Sequence, residues 1–151
     1  MTTVITDGRV MVADAQMTDG NVVTKYYGKI RRIGEWIVGG AGNPEDLELF
    51  FRWYANPTTR PPALSKNFEA VAIGRDGIFA YGRRMIPMKI EEPYYAVGSG
   101  FSLALGAMEA GASVEKACEI ACKRDAYSGL EIIKLELEKP QSTRKKAGRK
   151  R

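Results

Sequence analysis

Residues 35–55, EWIVGGAGNPEDLELFFRWYA, change from one kind of secondary structure to another within a few positions. The apolar run EWIVG is typical of a β-strand, and a glycine-rich break follows it. Asn43 is a favoured helix N-cap residue, Pro44 suits the first helical position, and two acidic residues follow in the first turn. The apolar-rich LELFFRWY then predicts a helix over residues 44–55. A strand that leads directly into a helix predicts a fold that contains both kinds of element.

Further strand and helix patterns lie on both sides of this segment. Two short apolar runs flank Asp7-Gly8, which is a hairpin turn signal, and another pair flanks Gly34. Because strands and helices come in separate blocks, the order predicts an α+β fold in which helices cover a largely antiparallel pair of sheets. The expected strands are residues 2–6, 9–13, 28–33, 35–39, 68–74, 78–82, 94–98 and 130–137, and the other two helices are expected over 101–110 and from the Ser113 cap to about Arg124.

Size and composition are those of a single soluble domain. The chain has 151 residues, enough for one domain with a buried core. Its apolar runs are much shorter than the ~20 residues of a membrane span, and its N-terminus lacks the features of a secretory signal. Cys118 and Cys122 are too few for a disulfide framework, and their spacing of four in a helical pattern indicates a shared buried face. We therefore expect a cytoplasmic protein without contact to a membrane.

The sequence contains no histidine. This absence excludes Ser-His-Asp and Cys-His catalytic sites, as well as metal sites with histidine ligands. We expect neither a metal nor a cofactor. If the chain is a hydrolase, its general base must be a lysine, a carboxylate or its own α-amino group, which has a reference pKa of ~7.7–8.0.

Positive charge is concentrated at the C-terminus. The net charge is +5, yet residues 140–151, PQSTRKKAGRKR, hold six basic residues and no acidic one. Residues 1–139 are therefore close to neutral or slightly acidic, and they form the predicted folded domain. The basic tail has no hydrophobic periodicity and is predicted to be disordered. Either it binds nucleic acid or another acidic surface, or it is simply solvated.

Six segments, taken in order along the chain, resemble proteasome β subunits and the bacterial HslV peptidase. The sharpest is residues 124–129, RDAYSG, which is close to the form found in one catalytic β-subunit type of eukaryotic proteasomes. The resemblance extends from residue 2 to about residue 137. It implies a four-layer αββα sandwich and threonine-dependent hydrolysis of peptide bonds. The other five segments are Thr2-Thr3-Val4, Ala13-Asp14, residues 29–33, Ala41-Gly42 and Gly98-Ser99-Gly100.

Three residues of these segments match the family's catalytic core. The resemblance implies that Thr2 is the nucleophile once Met1 is removed, with its own α-amine as the base, usually acting through a water molecule. Lys29 matches the lysine beside the nucleophile, where a buried ammonium would lower the pKa of the hydroxyl and keep the amine neutral. Asp14 matches the acid that pairs with this lysine and keeps it charged. Each residue also has a plain structural interpretation: a strand start, a surface lysine and a turn residue.

Four more residues match positions around the nucleophile. The resemblance implies that Asp125 and Ser128 orient the amine of Thr2, and that Ser99 supplies another hydroxyl near it. Gly42 matches the residue whose backbone N–H forms the oxyanion hole. This glycine precedes a predicted helix N-terminus, where free N–H groups favour negative charge. A helix C-terminal turn and plain loop glycines are the structural alternatives for these segments.

The sequence departs from the family pattern between Gly42 and residue 68. The family usually has two long helices there, whereas this chain has room for one, residues 44–55, followed by a proline-rich loop. The first helical layer is therefore expected to be reduced. The resemblance implies a peptide or unfolded protein as substrate, a ring-shaped homo-oligomer of six or more subunits and a AAA+ ATPase as partner. The alternative is a non-catalytic, proteasome-like scaffold or assembly protein that keeps Met1.

Overall fold

The computed structural model describes residues 2–58, 60–129 and 131–139. None of the helices in this described part is long and apolar enough to cross a membrane. Met1 and the tail of residues 140–151 lie outside it, so Met1 removal and tail disorder stay predictions. The elements are β1 Thr3–Thr6, β2 Val10–Asp14, β3 Gln16–Asp19, β4 Val22–Lys25, β5 Ile30–Ile33, β6 Trp36–Ala41, α1 Pro44–Ala55, β7 Glu69–Gly74, β8 Gly77–Tyr81, β9 Met88–Ile90, β10 Tyr95–Gly98, α2 Phe101–Glu109, α3 Val114–Arg124 and β11 Ile132–Glu136.

The structure contains all eight strands and all three helices that the sequence predicts, with small differences at their ends. Helix α1 has the predicted bounds because its N-terminus carries strong signals, and the Asn43 side chain accepts a hydrogen bond from the Glu45 N–H at 2.7 Å. The sequence pattern does not predict β3, β4 or β9. Strands β3 and β4 form a hairpin around the turn at Asp19-Gly20, but β4 is exposed throughout, so its sequence has no alternating apolar pattern. Strand β9 has three residues and a mostly exposed pattern.

Two antiparallel sheets form the body of the protein. The first sheet has the strand order β10-β1-β2-β11, and the second has the order β5-β6-β7-β8-β9. Strands β3 and β4 pair only with each other and form a separate ribbon beside the two sheets. The central strands of both sheets are almost entirely buried, which explains their short continuous apolar runs.

Side-chain alternation along the strands produces three core layers. Val4 on β1 packs between the two sheets, whereas its neighbour Ile5 packs under the helices α2 and α3. On the second sheet, Val71 faces the first sheet, and Ala72 faces α1. The order of layers is therefore α2 and α3, first sheet, second sheet, α1. This arrangement confirms the expected α+β fold and its αββα sandwich.

The outer layer on the second sheet is a single helix. Helix α1 buries Leu47, Phe50 and Phe51 against this sheet, and the described residues between α1 and β7 contain no helix. Aromatic rings fill much of this layer: the centroid of Phe50 lies 5.2 Å from that of Phe68 and 5.3 Å from that of Tyr81. The predicted reduction of the helical layer is confirmed, and aromatic packing replaces part of its volume.

Phe50 should therefore contribute strongly to stability. Its side chain is fully buried among other rings, so Phe50→Ala should lower the free energy of unfolding by about 3–5 kcal/mol. Leu49→Ala is the matched control, because Leu49 is the preceding residue of α1 and is exposed. Chemical denaturation of both variants checks this. Equal losses in the two variants would show that α1 is not packed as described.

Candidate active site

The buried carboxylate of Asp14 connects the parts of the site. Its Oδ1 accepts the backbone N–H of Thr3 at 3.0 Å, and its Oδ2 accepts the backbone N–H groups of Gln16 at 3.1 Å and Gly129 at 2.8 Å. Asp14 is fully buried at the end of β2. A buried carboxylate is stable only when hydrogen bonds or an opposite charge replace its water. These bonds therefore tie β1, the start of β3 and the turn after α3 to one side chain.

Lys29 supplies the opposite charge. Its Nζ donates to Asp14 Oδ1 at 3.0 Å and to the backbone carbonyl oxygen of Gln16, and its side chain is 4% exposed. Burial lowers the pKa of Lys29, whereas the neighbouring Asp14 carboxylate acts in the opposite direction. The result is an ammonium whose proton is held less tightly than that of a surface lysine.

Thr2 lies directly before β1 and is buried at the same point. Its Oγ1 is 3.4 Å from Asp14 Oδ1, the oxygen atom that also accepts from Lys29. The hydroxyl of Thr2 and the ammonium of Lys29 therefore converge on a single carboxylate oxygen. Thr2 precedes a strand of the first sheet, whereas Lys29 precedes a strand of the second sheet. The pair is brought together by the packing of the two sheets.

A second cluster of polar groups adjoins the backbone of Thr2. Asp125 Oδ2 accepts hydrogen bonds from the hydroxyls of Ser99 and Ser128, both at 2.5 Å. The Oγ of Ser99 also lies 3.5 Å from the carbonyl oxygen of Thr2. Because the proton of Ser128 points to Asp125, the Thr3 hydroxyl donates to Ser128 Oγ at 2.8 Å. This chain of bonds connects Thr2 and Thr3 to the turn after α3.

Close backbone packing explains the Gly98-Ser99-Gly100 motif. A Cβ at Gly98 would lie 1.8 Å from the carbonyl oxygen of Thr2, and the φ angle of Gly98 is +102°. A Cβ at Gly100 would lie 2.0 Å from Thr3 Oγ1. Any side chain at either position would displace the start of β1. The two glycines therefore allow β10 and the start of α2 to approach the candidate nucleophile.

Gly42 lies between β6 and α1, at a φ angle of +133° that residues with side chains rarely adopt. It lines a small pocket together with Thr2 and Lys29. The Asn43 cap of α1 follows directly, so the helix N-terminus is close to this pocket. Backbone N–H groups and the helix dipole favour negative charge at such a place. The chemical environment of Gly42 is suitable for an oxyanion.

All seven site residues predicted from the sequence lie in this region. Asp14 and Lys29 are paired with each other beside Thr2, and Asp125, Ser99 and Ser128 form the second cluster. Gly42 and Thr2 line the same pocket. The first cluster could activate a hydroxyl, the second could orient a backbone amine, and the pocket could receive a substrate side chain. Among the described residues, no cluster of acidic or cysteine side chains is suitable for a metal ion.

Comparison with known proteins identifies the fold. No family model and no curated protein matches this sequence. Solved structures do match: BPH from Thiobacillus denitrificans has 22% sequence identity and a TM-score of 0.65, covering 91% of this chain and 98% of that one. The same protein in complex with epoxomicin has 22% sequence identity and a TM-score of 0.67, covering 92% of this chain and 100% of that one. The eukaryotic HslV from Trypanosoma brucei has 22% sequence identity and a TM-score of 0.61, covering 89% of this chain and 98% of that one. The chain has the proteasome/HslV-type fold.

Several residues that shape the site within this fold were not predicted from the sequence. Thr3 acts through both its N–H and its hydroxyl, and Gln16 and Gly129 each donate a backbone N–H to Asp14. The only sequence signal for Thr3 was its place next to Thr2. Backbone donors leave no signal in the residue type, because every residue except proline has an N–H group. Tyr26 and Leu47 line the pocket beside Thr2, and both have the sequence pattern of ordinary core residues.

The close approach at Gly98 leads to a stability prediction. Gly98→Ala should lower the free energy of unfolding by more than about 2 kcal/mol, because its Cβ would collide with the Thr2 carbonyl oxygen at a strained φ angle. Gly106→Ala is the matched control: Gly106 is in α2 with open space around it, so alanine should stabilise by about 0.5–1 kcal/mol. Thermal or chemical denaturation measures both. A Gly98→Ala variant as stable as the parent protein would contradict the packing described for Thr2.

Proposed function

We propose that the protein is a threonine-type peptidase with Thr2 as its N-terminal nucleophile, exposed by removal of Met1. One observation carries the proposal: in a chain without histidine, the Thr2 hydroxyl and the Lys29 ammonium converge on the same buried oxygen of Asp14. A hydroxyl needs an activating neighbour to act as a nucleophile at neutral pH. The similarity of the fold to HslV and to a BPH complexed with epoxomicin supports the same conclusion.

The proposed reaction begins when the Thr2 hydroxyl attacks the carbonyl carbon of a peptide bond. The hydroxyl proton goes to the free α-amine of Thr2, directly or through a water molecule. The C–N bond of the substrate then breaks, its nitrogen takes up the proton, and an ester on Thr2 Oγ1 remains. A water molecule hydrolyses this ester, and the threonine is restored. The amine has a reference pKa of ~7.7–8.0, which makes it a suitable base near neutral pH.

Lys29 and Asp14 act as one unit in this proposal. The ammonium of Lys29 lowers the pKa of the hydroxyl that loses its proton, and it disfavours a second positive charge on the α-amine. Asp14 keeps the buried ammonium protonated and holds it at 3.0 Å. The same carboxylate accepts the N–H of Thr3, so it also holds the backbone next to the nucleophile. The Lys29 ammonium and the backbone next to Thr2 are thereby both held by the Oδ1 atom of Asp14.

The remaining residues orient groups and stabilise charge. Ser99 and Ser128, which both donate to Asp125, form the hydrogen-bonding environment in which the α-amine of Thr2 would be oriented. The backbone N–H of Gly42 would stabilise the oxyanion that forms when the hydroxyl attacks. Preorganised donors of this kind typically contribute a factor of about 10²–10³ to the rate.

The proposed substrate is a peptide or an unfolded protein chain, because the pocket beside Thr2 is small and could receive a single side chain of an extended backbone. We also propose that the protein works as a homo-oligomer of six or more subunits with the sites facing an enclosed space. The similarity to HslV supports this assembly. An ATPase partner of the AAA+ class would supply unfolded substrate to such an assembly.

The nucleophile can be tested with two variants. The mature protein should begin at Thr2 by intact-mass measurement, and Thr2→Ala should lower hydrolysis of fluorogenic peptides by about 10³-fold or more. Thr2→Ser is the matched control, because it keeps a hydroxyl and should retain measurable activity and labelling by epoxomicin. Both variants should unfold at the same denaturant concentration as the parent within error. Unchanged hydrolysis in Thr2→Ala would show that Thr2 is not the nucleophile, whereas protein that keeps Met1 and never hydrolyses peptide would favour a scaffold role.

The lowered pKa of Lys29 predicts an alkaline limit to activity. As pH rises through this pKa, which lies below the usual value of about 10.4 for lysine, the ammonium loses its charge and kcat/KM should fall. In Lys29→Arg the guanidinium stays charged over this range, so the remaining activity should lack that alkaline limb. Rates between pH 7 and pH 10.5, with circular dichroism to confirm folding, measure both profiles. The same alkaline limb in both proteins would assign the titration to a different group.

A further inference from the structure

The pocket beside Thr2 has walls that the proposed chemistry does not use. Its lining includes Thr2, Lys29 and Gly42 of the candidate site, and the other lining residues are Gln16, Met17, Thr18, Tyr26, Pro44 and Leu47. A substrate whose carbonyl carbon is attacked by Thr2 would place the neighbouring side chain here. The walls therefore determine which side chain fits at the cleavage point.

The pocket is small. Its volume is about 50 Å³, and a buried water molecule needs roughly 10–15 Å³ of such space. The pocket can therefore hold about three to five atoms of water size, which corresponds to the side chains of valine, threonine or leucine. An aromatic ring or a long basic side chain is too large unless a wall moves.

The pocket also lacks a charge that could pair with a charged side chain. Among the described residues that line it, the only charged one is Lys29, whose ammonium is already matched by Asp14. Gln16 and Thr18 bond to each other, with Gln16 Nε2 donating to Thr18 Oγ1 at 2.9 Å. Met17, Pro44 and Leu47 contribute apolar surface. A charged side chain would lose its water here without a partner, which is unfavourable.

Tyr26 is the only aromatic residue among the described residues that line the pocket. Its ring packs with the core under α1, and its hydroxyl donates to Glu48 Oε2 at 3.0 Å. Arg31 binds the same carboxylate with both terminal nitrogens and lies 4.4 Å above the ring of Phe51. Burial raises the pKa of Tyr26, so the hydroxyl remains a donor.

A second hydrogen bond and the absence of a side chain at Gly28 also determine the position of this tyrosine. Arg31 NH2 donates to the hydroxyl of Tyr26 at 3.3 Å. A Cβ at Gly28 would lie 2.7 Å from the same hydroxyl, so the glycine leaves room for the ring at this position. Tyr26 is thus fixed by packing, by Glu48 and by Arg31.

From these contacts we propose that Tyr26, held by Glu48 and Arg31, restricts cleavage to peptide bonds that follow a small or medium, uncharged side chain. The preferred residues are valine, threonine and leucine. The proposal rests on the proposed function, because it assumes that Thr2 attacks the substrate. Tyr26 acts by shaping the pocket and takes no part in bond breaking.

The test uses the full chain with Met1 removed and a panel of fluorogenic tripeptides that differ only in the residue before the cleaved bond. The parent protein should hydrolyse the leucine and valine substrates at least about tenfold faster than those with phenylalanine, lysine or glutamate. Tyr26→Ala should raise the phenylalanine-to-leucine ratio of kcat/KM by about tenfold or more. Tyr26→Phe keeps the ring but loses the hydroxyl bonds to Glu48 and Arg31, so its preference should lie between that of the parent and that of Tyr26→Ala. Tyr94→Ala is the matched control, because the half-buried Tyr94 also donates to a glutamate, Glu109, but is not part of the pocket lining.

Peptide aldehydes with the same side chains give a second measurement that does not require turnover. Their binding is followed by the shift in melting temperature, and the leucine and valine aldehydes should stabilise the parent protein most. Hydrolysis with a preference for phenylalanine, lysine or glutamate, or a Tyr26→Ala profile identical to the parent, would overturn the role of Tyr26 and leave the peptidase proposal intact. Absence of both hydrolysis and aldehyde binding for every side chain would overturn the peptidase proposal, and the assignment of the pocket with it.

Discussion

The rest of the structure depends on the burial of one carboxylate. Asp14 is fully buried, and it accepts from Thr3, Gln16, Gly129 and Lys29. These donors come from four separate segments of the chain, and the loss of any one would leave a buried charge partly unsatisfied, which costs several kcal/mol. The carboxylate is therefore stable only when all four segments are in place. Folding and assembly of the candidate site are consequently one event.

The sandwich explains why these segments meet. Val4, Met11 and Ala13 of the first sheet pack against Ile30 and Ile37 of the second sheet. Asp14 directly follows one of these core residues, and Lys29 directly precedes another, so the polar pair lies at the edge of the apolar layer between the sheets. The hydrophobic core thereby sets the distance of 3.0 Å between the ammonium and the carboxylate. Water is excluded from the pair by the same contacts, which strengthens the interaction.

The helical layer over the second sheet has a different role. Helix α1 positions Gly42 at its N-terminus, Leu47 in the pocket wall and Glu48 against Tyr26. One helix is sufficient because Phe50, Phe68 and Tyr81 fill the space beside it with closely packed rings. The ion pair of Arg31 and Glu48 is partly exposed, so it contributes little to stability. Its effect is to restrict the position of the tyrosine ring beside the pocket.

The sequence by itself determined the order of the main strands and helices, because strand runs, the Asn43-Pro44 helix start and turn glycines are local signals. It also determined that a catalytic base could not be histidine. The site residues came from short motifs that match known peptidases, with no information about distance. Only the tertiary structure decided that Thr2 and Lys29 share one oxygen of Asp14, and that Thr3, Gln16 and Gly129 support it. It alone also assigned Tyr26 to a pocket wall. The physical reason is that hairpin turns and helix caps form between neighbours in the chain, whereas a buried charge and a pocket are formed by segments up to 115 residues apart.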